Sequence, residues 1–275
     1  MKSLNSILAV PYGILKRCFF YILAYRIHIS AIFFFLLYYN NKRLTTNPLD
    51  YPLIISFAFW HFALYLFDRV YDGDLDKESQ PNEYVPKKQR KALYIFIAGL
   101  VISSFFLYVK TGHPIVYWII LLPITFLYTL PIIGKTRIKN ILIVKNVYSA
   151  GPIWTLPLYI QAVLVTGDPS KIPTDVLYSI FSLAIYILIG EIFWDIRDKS
   201  VDKKYGIATI PNTFGINTAK IIIFLLIVVD FSIKGQIDFN GSGILYCCLL
   251  PFTQEKSNRI LFHLPPLIAL LRFCI

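Results

Sequence analysis

Charge is scarce in this chain. Of its 275 residues, 16% are charged, while 56% are hydrophobic and 16% aromatic. Ordinary soluble domains run to about 25% charged and roughly 45–50% apolar, so this balance excludes an ordinary soluble domain. Cysteine is scarce as well. Cys18, Cys247, Cys248 and Cys274 lie in or beside apolar stretches and none has a partner at C-x-x-C spacing. They read as small apolar residues and not as metal ligands. There is no Gly-rich nucleotide loop, no Ser–His–Asp arrangement and no zinc spacing, and His28, His61, His113 and His263 are scattered. Only His61 falls on a polar helix face, where a packed histidine and a functional one are equally compatible with the pattern. The opening MKSLNSILAVPYGILKR is interrupted by Pro11 and lacks a small-residue cleavage site. It predicts an amphipathic lead-in over residues 1–17 and no cleavable signal peptide.

What the chain has instead is long apolar runs. About 20 residues of helix cross the ~30 Å hydrocarbon core of a bilayer, and several runs here are long enough. Spans are expected at roughly 18–39, 51–68, 91–109, 115–132, 143–165, 174–196, 219–233, 242–252 and 260–275. The fold class is therefore an all-α polytopic membrane protein of about nine spans, organised as a single transmembrane domain over residues 1–275. Pro123, Pro131, Pro152 and Pro157 fall inside or at the ends of the fourth and fifth spans. Kinked helices around a cavity are one outcome of such placement, and plain bending is the other.

The loops set the orientation. With the N-terminus in the cytoplasm, most Lys and Arg fall on the cytoplasmic side, including Lys87, Lys88, Arg137, Lys139, Lys203 and Lys204. The net charge of +11 follows from that bias toward anionic lipid and makes no case for nucleic acid. With no organelle targeting peptide in view, a bacterial-type inner membrane is the expected location.

The few acids are not scattered. Residues three and four apart share a helix face. Asp68, Asp72 and Asp76 are spaced four and four, and Glu191, Asp195, Asp198 and Asp202 four, three and four. Each set forms a carboxylate stripe at the end of an apolar run, and both stripes fall on the cytoplasmic side. Tyr65 and His61 extend the first stripe inward. An acid at the bilayer centre costs about 2.5–3.5 kcal/mol on insertion scales, so something positive must offset these. One answer is ordinary pairing with Arg69, Arg197, Lys199, Lys203 and Lys204. The other is Mg²⁺, which takes one or two carboxylates and completes its shell with water and substrate phosphates. Two facing stripes would then clamp a diphosphate, with neighbouring Lys and Arg on its remaining oxygens.

These residues resemble a known family, the intramembrane UbiA-type prenyltransferases. The stretch DIRDKSVDKKYGIATIP is similar to that family's D-x-x-D-x-x-x-D followed by G-x-x-T-x-P, on Asp195, Asp198, Asp202, Gly206, Thr209 and Pro211. The first stripe is similar to N-D-x-x-D-x-x-x-D, with Asp72 and Asp76 on its later two acids. LYTLP at 127–131, the basic loop through Lys139, and Lys145–Asn146 add to the likeness, which covers about residues 55–215. There is one departure. Asp68 stands at the Asn position and Arg69 at the first Asp, so a cation replaces a carboxylate.

The resemblance implies a bundle of about nine helices around a central cavity and transfer of a prenyl group from a polyprenyl diphosphate to an aromatic or other lipophilic acceptor. It implies Mg²⁺ on the catalytic acids Asp72, Asp76, Asp198 and Asp202. Asp68, Arg69, Tyr128, Lys139, Lys145, Asn146, Asp195 and Arg197 would bind or orient the diphosphate. Partners are the prenyl diphosphate, the acceptor and membrane lipids. Two other readings stay open on the residues alone: a non-catalytic family member that binds isoprenoids, and a transporter whose intramembrane acids carry cations or protons.

Overall fold

The computed structural model describes residues 18–81, 83–132, 134, 136–233, 241–257 and 259–274, and over them the chain forms a helical bundle. The lead-in expected over residues 1–17 lies outside the described residues. α1 (Cys18–Ala24) and α2 (Ile27–Leu44) meet at an angle of 67°. The break falls at Arg26, whose φ of 57° puts a non-glycine residue in the left-handed region, a conformation that disfavours L side chains. α3 (Tyr51–Tyr71) begins where the Asp50 carboxylate accepts a hydrogen bond from the Leu53 N–H at 3.0 Å, with Pro52 in the first turn. Both are helix-start devices, since an N-cap acceptor and an early proline suit backbone groups that lack helical partners. α4 (Gly73–Ser79) follows directly, with Asp72 at the joint.

α5 (Lys87–Lys110) packs along α3. Ser56 Oγ donates to the Ser104 carbonyl at 2.7 Å and Ser104 Oγ to the Ser56 carbonyl at 2.8 Å. Such interhelical hydroxyl bonds let apolar helices approach closely where no hydrophobic force distinguishes a helix from lipid. α6 (Val116–Thr129) carries Pro123 inside it. α7 (Val144–Tyr148) widens into a π turn over Ser149–Thr155 that contains Pro152, and α8 (Leu156–Thr166) continues from there. The expected span at 143–165 is thus one helical path with a π segment inside it, a feature found often at functional sites.

α9 (Thr174–Lys204) is the central element, and its 31 residues extend for about 46 Å at 1.5 Å per residue. That exceeds the ~30 Å hydrocarbon thickness, so its acidic turns have room beyond the apolar layer. It packs against α2, the π turn, α10 (Ile210–Phe214), α11 (Ile216–Ile233) and α13 (Leu264–Cys274). α12 (Gly241–Leu249) packs on α13. Gly206 takes a φ of +70° just past α9, which glycine adopts without steric cost. Asn212 Oδ1 then accepts from the Thr209 N–H at 2.9 Å while Pro211 sits in the first turn of α10. The G-x-x-T-x-P pattern is a helix stop followed by a helix start.

Among the described residues, four helices are long and apolar enough to cross a membrane, or five if the bent α1–α2 pair is one span. The α6, α12 and α13 regions are shorter apolar helices. α5 and α11 bury little of their surface, and Ile95, Phe106 and Ile221 are exposed on them, the condition of a face meant for lipid. One apolar cluster runs through the bundle from Phe33 and Phe57 to Phe193, Tyr246 and Phe273. His61 packs against it: the ring is fully buried and stacks on Phe33 with centroids 3.8 Å apart.

Far along the sequence from both acidic stripes lies an internal ion pair. Arg272 Nε of α13 is 2.8 Å from Asp230 of α11, which also accepts from Ser182 of α9, with Asp230 0% and Arg272 4% exposed. Removing one partner of a buried pair strands the other charge, at about 3–5 kcal/mol. Arg272→Leu is therefore expected to lower stability by roughly that amount, and Asp230→Leu/Arg272→Leu to recover most of it. Unfolding in detergent micelles measures both; a single variant as stable as the parent refutes the coupling.

Candidate functional site

The two acidic stripes meet. The last turn of α3, the α3–α4 joint and α4 bring Asp68, Asp72 and Asp76 to one wall of a cleft, and the end of α9 brings Asp198 and Asp202 to the other. The cleft encloses about 120 Å³ and is lined also by Arg26, Arg69, Tyr128, Lys139, Lys145, Glu191, Trp194 and Arg197. Asp195 and Asn146 stand just behind the wall. Asn146 Nδ2 donates to Asp195 at 3.1 Å and Lys145 Nζ to its other oxygen at 2.5 Å.

The first stripe is crowded with fixed cations. Lys139 bridges Asp68 at 2.7 Å and Asp72, Arg137 Nη1 reaches Asp72 at 2.6 Å, and Thr129 Oγ1 donates to Asp68 at 3.1 Å. Burial opposes the charge of Lys139, yet Asp68 and Asp72 outweigh it and hold the ammonium above its ordinary range. Arg69 is 3% exposed and held on every side. It contacts Asp76 at 2.7 Å, Gln80 Oε1 at 3.1 Å, the Glu83 carbonyl, and the Ala24 carbonyl at 3.3 Å. Burial pushes the Asp76 carboxyl up to about 6, against the pull of Arg69 and with Asp72 adding to the rise.

The second stripe is looser. Asp198 takes two hydrogen bonds from its neighbour Arg197, at 2.9 and 2.6 Å. Asp202 Oδ2 is buried without a hydrogen-bond partner and lies 3.9 Å from Lys145 Nζ. Among the described residues no three His, Cys, Asp or Glu side chains converge as a ready metal cage. Mg²⁺ does not require one, because it binds through one or two carboxylates together with water and phosphate oxygens. The unpartnered Asp202 oxygen, with Asp198 one turn away on the same face, offers hard oxygen donors of that kind.

A separate small apolar cavity of about 10 Å³ adjoins the cleft. Glu191 and Trp194 line the cleft and also line this cavity with Trp154, Tyr186, Ile187, Gly190, Pro265 and Pro266. Glu191 accepts from Ser149 Oγ at 2.5 Å, and the π turn is what carries Ser149 to it. Tyr128 stacks on Tyr148 with centroids 5.8 Å apart and has Lys139 Nζ 5.8 Å above its ring.

The UbiA prenyltransferase family profile matches residues 29–253. The chain belongs to the UbiA prenyltransferase family. Its fold is that of a UbiA homologue from Archaeoglobus fulgidus. The form bound to GPP and Mg²⁺ aligns with a TM-score of 0.57 at 17% identity, covering 92% of this chain and 96% of that one. The form bound to DMAPP and Mg²⁺ aligns with a TM-score of 0.56 and the form bound to Cd²⁺ with 0.55, at the same identity and coverage. No curated protein matches the chain in sequence. With several apolar helices and this family, the chain is an integral membrane protein.

Sequence reasoning placed Asp68, Asp72, Asp76, Asp198 and Asp202 with Arg69, Tyr128, Lys139, Lys145 and Arg197, and the cleft brings these ten together. It missed Arg26, Gln80 and Arg137, and it noted Glu191 in a stripe without giving it a place in the site. The signal for Arg26 was a lone arginine inside an apolar run, a costly placement that calls for a partner. A test follows from Lys139. Lys139→Met strips Asp68 and Asp72 of their shared counter-charge, and stability in detergent should fall by roughly 1–3 kcal/mol, less than a fully buried pair because Asp68 is partly exposed. Lys139→Arg should restore most of it. An unchanged unfolding midpoint in Lys139→Met would show that Arg137 and Thr129 suffice.

Proposed function

We propose that this protein transfers a prenyl group from a prenyl diphosphate to a lipophilic acceptor in the membrane, with a divalent cation as cofactor. The observation that carries this reading is the cleft itself. Carboxylates and cations face each other in it, and Glu191 and Trp194 of its wall also border a small apolar cavity of about 10 Å³ beside Trp154 and Tyr186. That is the arrangement a diphosphate head with a hydrocarbon tail requires. The GPP, DMAPP and Mg²⁺ bound to the archaeal homologue support the same chemistry.

In the reaction, the allylic C1–O bond breaks, the diphosphate leaves with the electron pair, and the acceptor forms a new bond to C1 and gives up a proton. Lys139, Lys145 and Arg197 bind the leaving diphosphate, where cations fixed in advance act on charge as it develops. Tyr65, Tyr128 and Trp194 line the cleft and present aromatic faces that stabilise positive charge at C1. Trp154, Tyr186, Pro265 and Pro266 border a cavity of about 10 Å³, which would have to widen to take the first part of the tail. Asp198 and Asp202 are the side chains that would hold Mg²⁺, which supplies Lewis-acid neutralisation of the diphosphate when bound. The Lys and Arg bias of the loops supports a cytoplasmic opening for the cleft.

The test is release of inorganic diphosphate from geranyl diphosphate and longer homologues by the purified protein in lipid nanodiscs, with a membrane lipid extract as acceptor source. Release should require Mg²⁺ and fall on the order of 100-fold in Asp202→Asn, about 2.7 kcal/mol of transition-state stabilisation. Absence of release with every chain length would reject the transferase and leave isoprenoid binding without chemistry.

A further inference from the structure

Resting on that reading, we infer that the protein binds a single divalent cation with its diphosphate, at Asp198 and Asp202, and that the Arg69 guanidinium takes the place of a cation on the Asp72–Asp76 side. The two sides of the cleft differ in what their carboxylates are already doing. On the first side every acid is engaged by a cation from another part of the chain or from the preceding helix: Asp76 by Arg69, Asp72 by Arg137 and Lys139, Asp68 by Lys139. To ligate a metal, Asp76 would have to leave Arg69. The guanidinium has nowhere to follow, because the Gln80 side chain and the Ala24 and Glu83 carbonyls hold it in place at 3% exposure. A buried cation would be stranded beside an incoming divalent one.

The second side lacks this obstacle. Arg197 donates its hydrogen bonds to Asp198 while its guanidinium lies 5.9 Å over the Phe262 ring, so a phosphate oxygen entering the cleft has one carboxylate to displace there. Asp202 Oδ2 is 3.9 Å from Lys145 Nζ, a looser pairing than the 2.7 Å between Asp76 Oδ2 and Arg69, although neither oxygen accepts a hydrogen bond. A further cation also faces the cleft: Arg26 is 7% exposed, its Nη2 lies 3.4 Å from Gln80 Oε1, and its Nη1 is buried without a partner. Arg26 and Arg69 thus meet at Gln80, and their joint positive charge disfavours a divalent ion there while favouring phosphate oxygens. Arginine at position 69 and the unpaired Nη1–H groups of Arg26 form one device, in which guanidinium groups do on one wall what a metal does on the other.

Counting cations decides the matter without reference to turnover. The full chain in nanodiscs is titrated with Mn²⁺ in the presence of geranyl S-thiolodiphosphate, a slowly reacting analogue, and free Mn²⁺ is read by electron paramagnetic resonance. One tight Mn²⁺ per chain is expected. Asp202→Asn should abolish it, Asp76→Asn should leave the count at one, and Arg69→Asp should raise it to two. Two tight ions in the parent protein would overturn the inference, as would loss of the ion in Asp76→Asn with Asp202→Asn unaffected. Should Arg69→Asp fail to fold, the parent count and the two asparagine variants still decide. The analogue is also counted, by its phosphorus. An analogue that binds with two ions refutes only the single-cation assignment, whereas an analogue that does not bind at any Mn²⁺ concentration removes the prenyl diphosphate reading and this inference with it.

Discussion

Compensation of buried charge is the constraint on which this structure depends. A carboxylate at the end of an apolar helix is stable only with positive charge close by, and the chain brings that charge from several directions. The α3–α4 acids are met by the 137–139 segment, and Asp195 at the end of α9 by Lys145 and Asn146 from α7. Those pairings tie the middle of the chain to both acidic walls. They also fix which oxygen atoms stay free, and so where a ligand can enter. The Asp230–Arg272 pair applies the same rule elsewhere in the bundle, linking α11 and α13 beside α9.

The outline of the fold was legible because hydropathy marks where a chain needs lipid or core. The runs at 51–68, 91–109 and 174–196 correspond to α3, α5 and α9. What hydropathy does not mark is where a helix stops. α9 continues through its polar residues to Lys204, since helix propagation depends on backbone bonds and not on greasiness. The π turn inside the 143–165 run and the 67° break at Arg26 were illegible for a related reason. Both are local backbone departures whose stability comes from tertiary contacts, and neither leaves a periodic trace.

The site was legible to the extent that it lies on regular helices. A spacing of three and four puts acids on one face, and Asp68, Asp72, Asp76, Asp198 and Asp202 do line one cleft. Arg26, carried in by a bend, and Arg137, which reaches Asp72 from a loop, were overlooked, although Lys139 of the same loop was placed. Arg26 is 42 residues from Asp68 and has no motif around it; the α1–α2 break carries it into the wall. Arg137 was part of a basic loop whose path the sequence does not specify. Arg69 was visible from the start as a departure from the family pattern, but only its contacts with Asp76, Gln80, Ala24 and Glu83 show how firmly it is placed.

The short passage from Gly206 to Pro211 has a consequence for how relatives of this chain are recognised. Its glycine ends one helix, Asn212 caps the Thr209 backbone, and its proline opens the next helix. The pattern therefore belongs to the scaffolding of the bundle. A family member that had lost its chemistry would keep it, because selection for folding alone would preserve it.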